Sequence, residues 1–212
     1  MKIIIYTLIS FIMLVVVISI IWRICSQWFS LPCPAWLGWL IELDNPFTVA
    51  NQARVIIEHL DLKAGMQVLD VGCGPGRLTI PIASKIKPNG HVVAMDIQKE
   101  MLFRVQEKAQ AAHITNIKFL NAGIGEGRLN QDQFDRVLLV TVLGEIPKQE
   151  SALQEIFNSL KIGGILSVTE SCFDPHFQRI KTVIKLAGKV GFKQKKLIGN
   201  RFAYTIQFEK PA

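Results

Sequence analysis

The chain has 212 residues and a formal net charge of +7, so it fits one domain of ordinary size plus an extra element. Half of its residues are hydrophobic and mean hydropathy is +0.30, which is high for a wholly water-soluble protein. The four cysteines, Cys25, Cys33, Cys73 and Cys172, form no C-x-x-C pair and have no metal-ligand spacing. They suggest a reducing compartment and argue against a zinc site, and the three-cysteine iron–sulfur motif of radical enzymes is absent, so no metal is expected.

The apolar excess is local. Residues 3–22, IIIYTLISFIMLVVVISIIW, carry no charge. As a helix they span roughly 30 Å, about the hydrocarbon thickness of a bilayer. The following Trp22-Arg23-Ile24-Cys25 offers neither a small-residue cleavage site nor a lipoprotein box, so residues 1–24 read as a retained transmembrane anchor rather than a cleaved signal. Residues 25–45 form a connector broken by Pro32 and Pro34. Trp22, Trp28, Trp36 and Trp39 are all of the chain's tryptophans, and their clustering suggests a shelf at the headgroup level. Capping of the domain's own core by Trp36 and Trp39 is the alternative.

From residue 46 to 212 the pattern alternates. NPFTVANQARVIIEHLDL reads as a helix, MQVLDVG as a buried strand and RLTIPIASKIK as a helix. HVVAMDI and NIKFLNA are strands around the helix KEMLFRVQEKAQAAH. FDRVLLVTVL is nearly all apolar and therefore central. KQESALQEIFNSLK is a helix expected to stop at Gly163-Gly164. GILSVTE is a fifth strand, FQRIKTVIKLAGKVG a helix, and FKQKKLIG and FAYTIQFEK a hairpin turning at Gly199-Asn200. The expected fold class is α/β, a doubly wound and mostly parallel seven-stranded sheet with a terminal antiparallel hairpin.

The chemistry concentrates in VLDVGCGPGRLT, where a strand ends in Asp70 and Gly72, Gly74 and Gly76 lead into a helix. Glycines at such a turn let backbone approach a ligand, and the helix start presents free N–H groups. A second acid, Asp96, ends the next strand and is placed to accept from a ribose diol. The spacing is G-x-G-x-G with an acid two residues earlier, not the G-x-G-x-x-G of pyrophosphate binders. A carboxylate there suits a ligand with a positive amino-acid end.

This string resembles motif I of the class I S-adenosylmethionine-dependent methyltransferases, and the resemblance runs from about residue 46 to the end. It implies that S-adenosyl-L-methionine is the cofactor. Asp70 and the Gly72–Gly76 loop would hold its methionine part, Asp96 its ribose hydroxyls, and Ile97 would pack on the adenine. The family often has an acid after the third strand to receive the adenine amino group. Here that position is Gly123, followed by Ile124 with its backbone N–H, leaving Asn121 or Glu126 as substitutes. The layout also resembles membrane-attached thiol methyltransferases, and VLDVGCGPG and LGEIP resemble quinone and small-molecule methyltransferases of the ubiquinone-biosynthesis type.

Methyl transfer from a sulfonium is an in-line displacement in which alignment supplies most of the rate. Glu145, in the loop after strand four, is a candidate base or acceptor-orienting group; a first-turn carboxylate ahead of the next helix is the alternative. Glu170 and His176, past strand five, form a second candidate pair. Cys73 reads as a small loop-filling residue rather than a nucleophile. The stripe Lys181, Lys185 and Lys189 with Lys193, Lys195 and Lys196 reads as a solvated face, then as a lipid contact, with nucleic acid a distant third. The reading is a methyltransferase acting on a lipophilic acceptor (quinone, lipid or thiol) at the membrane, single-pass, with its catalytic domain on the cytoplasmic side. An RNA or protein methyltransferase, or an inactive cofactor-binding module, are the alternatives.

Overall fold

The computed structural model describes residues 2–29, 44 and 48–212. Helix α1 covers Lys2–Phe29, running five residues into the expected connector. Within it Ile4–Ser26 has a mean hydropathy of 2.9 and buries none of its most apolar window against the domain. Among the described residues this is the one helix long and apolar enough to cross a membrane. Trp22 and Trp28 lie in α1, whereas Trp36, Trp39 and most of the connector lie outside the described residues.

The helix expected over residues 45–62 is realised as a single 3-10 turn, Val49–Asn51, and a short α2, Ala53–His59. The extended backbone of Gln52 separates them, and the Asp44 carboxylate accepts from the Ala53 N–H at 3.0 Å, fixing where α2 begins. The alternation then follows as read: β1 Gln67–Val71, α3 Thr79–Lys85, β2 His91–Asp96, α4 Lys99–Ala111, β3 Ile117–Asn121, β4 Phe134–Val140, α5 Gln149–Ser159, β5 Leu160–Ser171, α6 Ile180–Lys189, β6 Lys193–Gly199 and β7 Ala203–Glu209.

The seven strands form one sheet in the order β3-β2-β1-β4-β5-β7-β6, with β7 antiparallel to both of its neighbours. Strand alternation sorts the core into two layers. Leu69, Val71, Val93, Val137, Leu139 and Val168 point to one face, where Leu153 and Ile156 of α5 and Val183 of α6 cover them. Val68, Val92 and Leu138 point to the other, under Ile56 of α2 and Ile82 of α3. Each such buried aliphatic side chain contributes about 1.5–3 kcal/mol.

Gly163 and Gly164 do not stop a helix: α5 ends at Ser159, Leu160 is already extended, and both glycines lie inside β5. The pairing of β5 with β4 slips here, from Phe134↔Leu160 to Arg136↔Ile165, so the glycines absorb a bulge.

Strand order reverses between β1 and β4. Connections leave on opposite faces there, and a crevice opens beyond the carboxyl ends of the strands. In-register pairing of Val71 with Met95, and of Asp96 with Asn121, brings the ends of β1, β2 and β3 to one rim.

Candidate active site

The crevice is a cavity of about 260 Å³. Asp70, Gly72, Gly74, Asp96, Ile97, Gly123, Ile124 and Glu145 all line it, so the sequence reading brought most of its site residues to one place. Gly76 and His176 are not among the lining residues.

The glycine loop is held from both sides. The Gly72 and Cys73 N–H groups donate to the Met95 carbonyl at 2.8 and 3.1 Å, and the Lys108 ammonium donates to the Pro75 carbonyl at 2.9 Å. Gly72 has φ +64°, and a Cβ there would lie 2.5 Å from Val142 Cγ2, so only glycine lets the loop after β4 close over it. Gly74 has φ +51° and nothing within 4 Å of a built Cβ, leaving its backbone bare beside the cavity. Cys73 is buried, and burial pushes its thiol far above the ordinary range, consistent with a filler and not a nucleophile.

The two strand-end acids differ in their ties. Asp96 accepts from the Gly74 N–H at 3.0 Å and from the Gln98 N–H at 2.9 Å, so its carboxylate braces the loop against β2. Burial raises its pKa and those N–H donors pull it back. Asp70 accepts from the Thr79 hydroxyl at 2.6 Å. Burial lifts the Asp70 carboxyl to about 6, with Thr79 opposing and the neighbouring Asp96 adding to the rise. Together with Glu145 and Asp174 these acids line the cavity, and Arg77, the one lining cation among the described residues, is turned to Asp44 at 2.8 Å. The cavity therefore favours a cationic ligand, as a sulfonium carrying an ammonium group would be.

At the β3 end the structure separates the two substitutes for a missing acid. The Asn121 amide donates to the Asp96 and Ile97 carbonyls, both at 2.9 Å, and is used up in bracing the loop. Glu126 folds back so that its Oε1 lies 2.7 Å from where a Cβ on Gly123 would stand, with Ile97 Cγ2 at 3.7 Å from the same point. Glu126 thus brings a carboxylate to the place that an acid at position 123 would occupy.

The other wall is built by Thr141, Val142, Glu145, Ile146, Pro147 and Asp174. Thr141 takes φ +55°, a conformation costly for a branched residue, and is held there by its N–H donating to the Thr169 carbonyl at 2.8 Å. Nothing in the sequence marks that turn. Glu145 ends a 3-10 turn, Leu143–Glu145. Behind this wall Glu170 is buried, with Oε2 accepting from the Gln178 N–H at 3.0 Å and Oε1 without a hydrogen-bond partner among the described residues. Burial, with Asp174 and Glu145 close by, raises its carboxyl to about 8. His176 is 5% exposed and its Nε2 lies 2.6 Å from Ser26 Oγ of α1. The pair Glu170 and His176 therefore sits beside the cavity, not in its lining.

The lysine stripe of α6 is solvent-exposed and partly neutralised. Lys189 pairs with Glu150, and Lys195 of β6 with Glu209 at 2.6 Å. Among the described residues no group of His, Cys, Asp and Glu could hold a metal ion.

A sheet of this order, a glycine loop after β1 and acids ending β1 and β2 define the class I methyltransferase fold. The chain belongs to the family described as methyltransferase domain, whose model matches residues 62–205. It is 30% identical over 145 residues to a demethylmenaquinone methyltransferase of Shouchella clausii, covering 65% of this chain and 62% of that protein. It is 31% identical over 156 residues to that of Lactobacillus johnsonii, covering 72% of this chain and 62% of that protein. The chain thus spans less than two thirds of the length of these relatives. In fold it is similar to a SAM-dependent methyltransferase from Aquifex aeolicus, with a TM-score of 0.69 and 19% identity over 81% of this chain and 97% of that one. The chain thus carries a methyltransferase domain, and its acidic cavity fits the charges of S-adenosylmethionine.

Proposed function

We propose that the chain is held in a membrane by α1 and methylates a lipophilic quinone there. The observation that carries this reading is the fastening of the apolar helix to the rim of the cavity. Arg23 Nη2 donates to the carbonyls of Cys172 and Asp174, and Asp174 lines the site. A bilayer crossed by α1 then lies beside the mouth through which the acceptor enters. The same bonds favour a retained anchor over a cleaved leader, because cleavage would remove partners of the rim. The acceptor wall offers the apolar side chains of Val142, Ile146 and Pro147 between its polar residues, and the relatives' acceptor is a quinone. The cofactor is made in the cytoplasm, so the domain faces that side.

The cofactor supplies an electrophilic methyl on a sulfonium. Asp70 and the bare backbone around Gly74 hold its amino-acid end, Asp96 its ribose, Ile97 and Ile124 the adenine, with Glu126 reaching the adenine edge. Glu145 orients the acceptor, or takes its proton, from the opposite wall. His176 fastens α1 to the rim.

Asp70 gives this assignment a pH signature. Its carboxylate attracts the cofactor only when ionised, which burial delays to about pH 6. Cofactor affinity should fall about tenfold between pH 7.5 and 5, following the loss of the charged form. Asp70→Asn should bind weakly with no step across that range, as read by calorimetry.

The acceptor is tested by placing the full chain in vesicles containing demethylmenaquinone and supplying the cofactor. Methylated quinone is the expected product. Cofactor binding without any quinone methylation would remove the acceptor assignment and leave the enzyme class intact.

A further inference from the structure

The contact between α1 and the domain also fixes which surface meets lipid. The charge-free run ends at Trp22, so Arg23 marks the level of the hydrocarbon boundary. The carbonyls that Arg23 binds belong to Cys172 and Asp174, the two residues flanking Phe173. Phe173 is 64% exposed at that same level. The Cys172 N–H donates to the Phe202 carbonyl at 2.7 Å, which brings the β6–β7 turn alongside. Phe202 is 54% exposed, and the Arg201 guanidinium lies 4.7 Å from its ring centroid.

Two bare phenylalanine rings on adjacent loops, with a guanidinium over one of them, are poorly served by water. They match the headgroup zone, where rings enter the acyl boundary and a guanidinium pairs with phosphate. The turn is stiff enough to present them, since Asn200 Oδ1 accepts from the Phe202 N–H at 2.9 Å and the Ala203 N–H at 3.3 Å.

We propose that Phe173, Phe202 and Arg201 form a phospholipid-binding surface that seats the mouth of the cavity in the headgroup layer beside α1. It rests on the reading of α1 as a membrane span. Asp174 follows Phe173 directly and lines the cavity, so an acceptor leaves the acyl layer at the level of the site without crossing water.

The test places p-benzoylphenylalanine at position 173, 202 or 162, one at a time, in the full chain. Ile162 is 68% exposed but lies at the opposite end of β5, roughly 30 Å away along the strand. Each variant is reconstituted in vesicles of phosphatidylcholine and phosphatidylglycerol, checked for cofactor binding to confirm its fold, and illuminated. Positions 173 and 202 should give about tenfold more lipid adduct than 162, and Arg201→Glu should lower the yield at 202. Equal yields at the three positions, in a chain that resists an alkaline wash of the vesicles, would overturn the surface and leave the anchor standing. A chain that the wash removes would overturn both.

Discussion

Asp96→Ala is expected to weaken S-adenosylmethionine binding about a hundredfold, close to 3 kcal/mol. Two losses add up. The ribose hydroxyls lose a charged acceptor, and the Gly74 and Gln98 N–H groups lose the carboxylate that now braces the loop. Asp96→Asn keeps one acceptor oxygen and should lose about tenfold. The fold should survive both changes, because burial opposes the charge that is being removed. Calorimetry gives the affinities and thermal unfolding the control. Unchanged affinity in Asp96→Ala would withdraw the ribose assignment.

Gly144→Ala is expected to lower stability by about 3 kcal/mol and the melting temperature by about 6–12 °C. A Cβ at this position would strike the His176 carbonyl oxygen and approach His176 Cβ to 2.7 Å. The His176 segment has little freedom to yield. Its N–H donates to Asp174 Oδ1 at 2.7 Å, its carbonyl accepts from the Gln178 amide at 2.9 Å, and its ring is bound to Ser26. The β4 loop must move instead, carrying Glu145 away from the acceptor side. Turnover should therefore fall steeply while cofactor affinity changes little, since the glycine loop is untouched. A variant with the parent melting temperature and turnover would show that the two rims are not in the contact described.

The parts of the molecule legible in the sequence are those written locally. Strand β1 announces itself by a short apolar run ending in Asp70, and the spaced glycines after it already separate a sulfonium ligand from a pyrophosphate. The apolar run of β4 placed it in the middle of the sheet, where it is. Gly163 and Gly164 misled because a left-handed glycine serves a helix cap and a strand bulge equally well. Which pairing was used depended on β4, far away in sequence. The replacement for the acid missing at Gly123 was narrowed to Asn121 and Glu126 by position alone. Only the folded chain shows the Asn121 amide already spent on two carbonyls. The bond from Arg23 to Asp174 spans 151 residues, and no periodicity or motif encodes such a contact.

The lysine stripe reads in sequence first as a solvated face, and its α6 lysines are solvent-exposed. Lys189, Lys195 and Lys210 each pair with an acid, on α5, β7 and the segment before β4. Of the exposed phenylalanines described in the domain, Phe173 and Phe202 lie at the rim where α1 attaches, while Phe103 and Phe119 lie on α4 and β3.

The proposed acceptor is dissolved in the membrane. The most direct measurement incubates the full chain with methyl-labelled S-adenosylmethionine and a whole-cell extract, then divides the label among lipid, protein and RNA fractions. Label is expected in an organic-soluble small molecule and is lost in Asp96→Ala. Label confined to protein or RNA would contradict that acceptor.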